Sequence, residues 1–252
     1  MATLQLRHVS MKFGRETLFR DVNLSVESGE SLVLIGPSGH GKSVLLKLFA
    51  GILSPSRGHV LVEDQDLNLI ADSKRTELLL KMGMLFQKNA LFDSLSVADN
   101  IAFPLRETTE FEKEEIASRV ELFLEAVGLS AAKDLFPSEI SGGMQKRLGI
   151  ARALALEPRI VLYDDPTAGL DPITSRKIVE LILTLRKQNR STMIAVTNDM
   201  VRAFQMADRI AMVMDKQVII TGNKEQTLRH PDPRVQQFVR GQLKGPLTEA
   251  DA

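Results

Sequence analysis

The 252-residue sequence contains no cysteine, which excludes a disulfide framework and a thiolate metal site and fits a reducing compartment. It has no excess of either charge. Its 32 Lys and Arg residues balance 32 Asp and Glu, so no global positive field draws it to nucleic acid, and nucleic acid is not an expected partner. The four histidines, His8, His40, His59 and His230, form no H-x-x-x-H pair and give a zinc site no support. No uninterrupted apolar run approaches the length of a membrane span, and Met1-Ala2-Thr3-Leu4-Gln5-Leu6-Arg7 lacks the apolar core of a signal peptide. A soluble chain is expected, reaching any membrane through a partner. Repeats at solenoid spacing are absent as well, and the length suits one α/β domain with a smaller inserted lobe.

What is present begins with Gly36-Pro37-Ser38-Gly39-His40-Gly41-Lys42-Ser43, set between the apolar run Leu32 to Ile35 and the helix-like Val44-Leu45-Leu46-Lys47-Leu48-Phe49-Ala50. G-x-x-x-x-G-K-S between strand and helix is a phosphate-binding loop. Glycine permits the torsions that let successive N–H groups curl around phosphates at a helix N-terminus. Lys42 adds a positive charge there, and Ser43 offers its hydroxyl to a magnesium ion bridging phosphate oxygens.

Apolar segments at Leu4 to Val9, Val22 to Val26, Leu32 to Ile35 and Val60 to Val62 predict strands. From Lys74 to about Pro158 the pattern turns helical, over Glu112 to Val127 and Met144 to Leu156, which predicts an inserted helical lobe. Beyond it, Ile160 to Tyr163, a helix from Ile173 to Gln188, and Thr192 to Val196 give the β-α-β rhythm of a parallel sheet. Ile210 to Met214 and Val218 to Ile220 flank Asp215-Lys216-Gln217 as a hairpin. Pro231-Asp232-Pro233 introduces a short helix whose Val235, Phe238 and Val239 either cover their own domain or, the reading preferred here, face a partner surface.

Asp164-Asp165 follows Ile160 to Tyr163 directly, placing two carboxylates at the C-terminal edge of a buried strand, where open α/β sheets bind ligands. Asp164 is then a candidate magnesium holder. Ser141-Gly142-Gly143-Met144-Gln145 opens a further helix in a way suited to a second phosphate. In this order the elements resemble the ATP-binding cassette (ABC) ATPases over nearly the whole chain. Ser141 to Gln145 is similar to their signature, Gln87 in Met84-Leu85-Phe86-Gln87 to the Q-loop, Ala168-Gly169-Leu170-Asp171 to the D-loop, and Phe13 to the aromatic that stacks on adenine. Read alone, Phe13 is equally a core residue, Ser141 an ordinary helix cap, Gln87 a surface polar residue and Asp171-Pro172 a plain helix start.

The resemblance implies an α/β P-loop ABC ATPase with a RecA-like core, an antiparallel β subdomain and an inserted α-helical subdomain. It places the nucleotide-binding domain at 1–240, the helical insert at about 88–157 and a C-terminal tail at 241–252. It implies ATP and Mg2+ as cofactors, with nucleotide contacts from Phe13, Gly36 to Ser43, Ser141, Gly142, Gly143, Gln145 and Asp171, and metal contacts from Ser43, Gln87 and Asp164. Lys42, Gln87, Asp165 and Asn198 take the catalytic positions. It also implies a head-to-tail homodimer in which the phosphate loop of one subunit and the signature of the other enclose ATP.

Two positions depart from that pattern. Asp165 stands where the family carries glutamate, one methylene short. Asn198, in Ala195-Val196-Thr197-Asn198-Asp199, stands where it carries a histidine, and asparagine can hydrogen-bond a phosphate but cannot titrate near neutrality. Both changes touch the hydrolytic step and leave the binding elements alone, so slow turnover, or completion of the site by a membrane complex, is expected.

Further stretches resemble the ATPases of the Mla-type phospholipid-transport branch, which serve permeases associated with MCE proteins. They are Met84-Leu85-Phe86-Gln87 with Ala90-Leu91-Phe92, residues 99–107, Glu125 to Leu129, Asp171-Pro172-Ile173-Thr174, residues 231–239 and Gly245-Pro246. That likeness implies a multi-pass permease as partner, an MCE protein and a STAS-type regulatory subunit as further candidates, and phospholipid handled by the complex rather than by this chain. It places the chain on the cytoplasmic face of an inner membrane. The alternatives are a small-solute importer ATPase, a nucleotide-gated clamp with little turnover, and a soluble ABC regulator, the last usually built from tandem cassettes or a long coiled-coil insert that this sequence lacks.

Overall fold

The computed structural model describes residues 2–248. In chain order the elements are β1 (Ala2–Phe13), β2 (Glu16–Glu27), β3 (Ser31–Ile35), α1 (Lys42–Phe49), β4 (Arg57–Val62), β5 (Gln65–Asp66), α2 (Asp72–Leu79), β6 (Met82–Leu85), α3 (Val97–Thr108), α4 (Lys113–Ala126), α5 (Gly142–Leu154), β7 (Ile160–Asp164), α6 (Pro172–Asn189), β8 (Thr192–Val196), α7 (Met200–Met206), β9 (Arg209–Met214), β10 (Gln217–Gly222), α8 (Lys224–Leu228) and α9 (Pro233–Arg240). They fold into two compact units, one formed by the chain up to Leu79 together with the chain from Thr192, the other by Leu80–Ser191.

The first unit holds an antiparallel sheet in the order β2-β1-β4-β5 and the strands β10-β9-β3-β8. β3 pairs in parallel with both β8 and β9, and the β9–β10 hairpin closes one side. All five residues of β3 and of β8 are buried, as the unbroken apolar runs require of strands covered on both faces. Gln217 belongs to the hairpin strand, opposite Met214, and not to the turn where the sequence pattern put it, because Asp215 and Lys216 alone supply the two left-handed residues that the turn needs.

In the second unit β6 and β7 pair in parallel, and α3, α4 and α5 pack around Ile101, Leu105, Val120, Leu124 and Leu148. α3 was not evident in the sequence, since Pro104 lies inside it. Ser96 starts this helix by accepting the Asp99 amide. The fully buried Asn100 then fastens the preceding loop, accepting from Phe92 N and donating to the carbonyls of Phe92, Leu95 and Ser96. α6 begins as Asp171-Pro172 predicted, with Asp171 as N-cap and Pro172 in the first turn.

At the C-terminus the expectation for α9 is corrected. Val235 is 0% exposed and serves its own unit's core, while Phe238 and Val239 are half-buried, so the three do not form one free face. The expected tail reaches beyond the described residues. Its described part is held by the buried Gln237, which accepts from Leu247 N at 2.7 Å and donates to Gln242 O and the Thr248 hydroxyl.

Candidate functional site: a phosphate loop, a signature cleft and an acid pair

In the first unit β3 ends at Ile35 and the chain turns through Gly36, Gly39 and Gly41, all with positive φ, into α1. Gly36 is required twice over, by its φ of 134° and because a Cβ there would stand 2.3 Å from the Val213 carbonyl oxygen. Gly41 is the N-cap of α1 and makes no side-chain cap bond, the kind of helix start that receives anions. Lys42, 7% exposed, curls back over the loop and donates to Gly36 O at 2.7 Å and Pro37 O at 2.8 Å. Ser43 follows it in the first turn, and the His40 ring packs back on Ser38 O at 3.1 Å. From the end of β8, Asn198 brings its amide nitrogen 3.4 Å from the Ser38 hydroxyl, so this distant residue meets the phosphate loop. Phe13, at the β1–β2 turn, is 49% exposed, which excludes the core reading and leaves its ring accessible.

In the second unit β7 is buried throughout and delivers Asp164, 5% exposed, at its end. Asp165 comes next in the left-handed region at φ 49°, a conformation aspartate tolerates better than most residues. A cleft of about 710 Å³ gathers Ser141, Gly142, Gly143 and Asp171, bringing the signature-like segment to the D-loop-like one. Ser141 is the N-cap of α5, accepting the Met144 amide, and a Cβ on Gly142 would meet nothing. Gln145 points elsewhere, donating to Pro137 O at 2.8 Å. Asp171 accepts from the amides of Ile173 and Thr174, and its hydrogen bonding with Thr174 holds its carboxyl below the usual aspartate value.

Three cations of this unit were missed in the sequence. Arg147 and Lys177 line the cleft, Arg147 anchored on the Val127 and Gly128 carbonyls. Lys146 is 4% exposed and donates to the carbonyl of the exposed Gln87 at 2.6 Å. Burial pulls its ammonium below the ordinary lysine value, opposed by the Asp165 and Asp164 carboxylates. Sequence spacing gives no sign of this contact, since the partners are 59 residues apart. Near Gln87, Leu91 packs against the helical core while Phe92 stays 40% exposed, its ring 4.5 Å from that of Phe103.

The ABC transporter family profile matches residues 19–168, from β2 to just past the acid pair. The chain belongs to the ABC transporter family. It is 40% identical over 244 residues to the intermembrane phospholipid transport system ATP-binding protein MlaF of Haemophilus influenzae, covering 97% of this chain and 92% of that one. It is 39% identical over 244 residues to a probable ribonucleotide transport ATP-binding protein of Mycobacterium leprae, covering 97% and 70%. Among solved structures, a dimeric ATP-binding cassette in a post-hydrolysis state, bound to ADP and Pi, superposes with a TM-score of 0.79 at 32% identity, over 85% of this chain and 96% of that one. This ABC ATPase is therefore an α/β cassette. No described helix is long and apolar enough to cross a membrane.

Proposed function

We propose that this ABC ATPase energises phospholipid movement across a cell envelope, acting as a head-to-tail homodimer beneath a multi-pass permease. The observation that carries the reading is the 40% identity running through 97% of the chain and 92% of a phospholipid-transport ATPase, well beyond the elements that all cassettes share. An MCE protein and a STAS-type subunit are the further partners, and the cytoplasmic face of the inner membrane is the location. The nucleotide-binding domain is 1–240, with its helical insert at about 88–157 and a tail at 241–252.

In this reading Lys42 and the loop amides hold the phosphates and Phe13 stacks on the adenine. The amides after Ser141, with Asp171, meet the ATP of the partner subunit. Gln87 and Asp165 orient the attacking water, and Asn198 hydrogen-bonds the γ-phosphate. Ser43, Gln87 and Asp164 are oxygen donors, the type magnesium takes; Ser43 lies in the first turn of α1 and Asp164 is buried at a strand end. When bound, that ion neutralises charge on the phosphate oxygens during transfer. Because ATP joins two subunits and hydrolysis parts them, the cycle gives a movement that a permease can use.

Asp165 and Asn198 favour a second reading, a clamp that closes on ATP with little turnover. Both readings meet one experiment. The complex with its permease is placed in phospholipid vesicles, and ATP hydrolysis and transfer of labelled phospholipid are measured for the native chain, Asp165→Glu, Asn198→His, the double variant and Lys42→Ala. Native turnover and lipid transfer well above the Lys42→Ala background support the transporter reading. Hydrolysis confined to the reverted variants, with ATP-dependent dimerisation of the native chain, supports the clamp. Turnover without any lipid transfer removes phospholipid as cargo.

A further inference from the structure

Two cations of α5 reach the backbone of the loop that follows β6. Lys146 donates from Nζ to Gln87 O at 2.6 Å, and Arg152 donates from Nη2 to Asn89 O at 3.2 Å while its guanidinium lies 5.2 Å from the centre of the Phe92 ring. Gly149 stands between them on the helix, three residues from each. A Cβ there would lie 2.6 Å from Leu85 Cδ1 and 3.5 Å from Asn89 Cβ, so glycine is what lets this stretch of α5 close on the loop.

The loop so held is not relaxed. Asn89 and Ala90 are consecutive left-handed residues, at φ 60° and 50°, a conformation disfavoured for alanine. The buried Asn89 Oδ1 and Arg152 Nη1 have no hydrogen-bond partner. Strain and unmet polar atoms persist only where surrounding contacts over-determine the conformation, and here those contacts are the two cations. Both are costly to bury, as the lowered pKa values of Lys146 and Arg152 reflect.

We infer that Lys146 and Arg152 are positioning residues that clasp the backbone of residues 87–89 to the helix opened by Ser141-Gly142-Gly143, so that the Gln87 loop and the signature segment of one subunit move as a single piece. The inference rests on the reading of Gln87 and Ser141 as ATP-facing groups. In a head-to-tail dimer those two groups face different ATP molecules, so the clasp links the two sites through a continuous chain of contacts.

The test uses the full-length chain. The amides of Asn89 and Ala90 are hydrogen-bonded to Phe86 O and Lys88 O, which makes their exchange with solvent a direct report on the loop. In the nucleotide-free chain, Lys146→Met and Arg152→Met each speed exchange at residues 88–92 by about tenfold, with α3 and α4 unchanged, whereas Arg152→Lys retains protection. Exchange that does not rise at 88–92, or rises equally through α3 and α4, overturns the clasp. Where Lys146→Met does not fold, Arg152→Met carries the same test.

A double-mutant cycle then reads the functional link. Lys146→Met lowers turnover with KM for ATP within about twofold, and its effect disappears in a Gln87→Ala background. An equal loss in both backgrounds, with Gln87→Ala itself impaired, overturns the positioning role. If Gln87→Ala leaves turnover intact while loop exchange responds as stated, the assignment of Gln87 falls and the clasp stands.

Discussion

The amide nitrogen of Asn198 lies 3.4 Å from the hydroxyl of Ser38, so this side chain rests against the phosphate loop rather than turning away from it. Its chemistry sets the first prediction. An asparagine binds no proton near neutrality, so native turnover carries no titration from this position, whereas Asn198→His introduces one centred near the ordinary histidine value of about 6.5. Initial rates measured from pH 5.5 to 8.5 with saturating ATP compare the two. An identical pH profile for both proteins removes Asn198 from the hydrolytic step.

Asp165 presents a trade between reach and backbone. Asp165→Glu restores the missing methylene and raises turnover, by up to about a hundredfold where a misplacement of roughly 1 Å is the limiting defect. Glutamate is less tolerant of a φ of 49°, so the same variant loses up to about 1 kcal/mol of stability. Turnover and denaturant midpoints on the same preparation check both; a variant no faster than the native chain shows that the shorter carboxylate already reaches its water.

Gly36→Ala inserts a Cβ 2.3 Å from a backbone oxygen at a φ of 134°. Nucleotide binding falls below detection in an ATP titration, and the melting temperature drops, because the loop and the end of β9 at Val213 cannot both keep their places. Gly142→Ala, where a Cβ meets nothing, leaves the melting temperature unchanged and serves as the control.

Asn100→Ala removes the acceptor of the Phe92 amide and the one Nδ2 donor shared by Phe92 O, Leu95 O and Ser96 O, of which Phe92 O and Ser96 O keep backbone partners. At roughly 1 kcal/mol for each lost bond the cost is about 2–4 kcal/mol, read as a shift of the denaturant midpoint. A loss under about 0.5 kcal/mol means that water replaces the side chain there.

Asp232 caps α9 and pairs with Arg234 at 2.5 Å, and this hydrogen bond chiefly holds its carboxyl below the usual aspartate value. A depressed folded-state pKa stabilises above the unfolded value, about 3.9, and that stability is lost as the pH falls through the lower folded value. Protection factors across α9, taken relative to the intrinsic exchange rate, therefore fall as the pH drops below about 4 in the native chain, and the step is absent in Asp232→Asn.

The phosphate loop was legible in the sequence because its demands fall on neighbours: glycines where φ must be positive, then Lys42 and Ser43 at a helix start. β3, β7 and β8 were legible as unbroken apolar runs. α3 was not, since Pro104 argues against a helix that tertiary packing of Ile101 and Leu105 nevertheless secures. Neither was Lys146, whose partner lies far away in the chain, nor the inward Val235, whose short helix offers too few residues to distinguish a core face from a docking face.

The parallel pairing of Ser31 to Leu34 with Met193 to Val196 has a consequence for synthesis. β3 leaves the ribosome early and then lacks both strand neighbours until residues beyond 192 have emerged, a wait on the order of ten seconds at ordinary elongation rates. The Leu80–Ser191 unit is contiguous and emerges within that interval. During it, the most apolar strand of the phosphate-binding unit stays without its sheet, exposed to aggregation for longer the slower the ribosome moves.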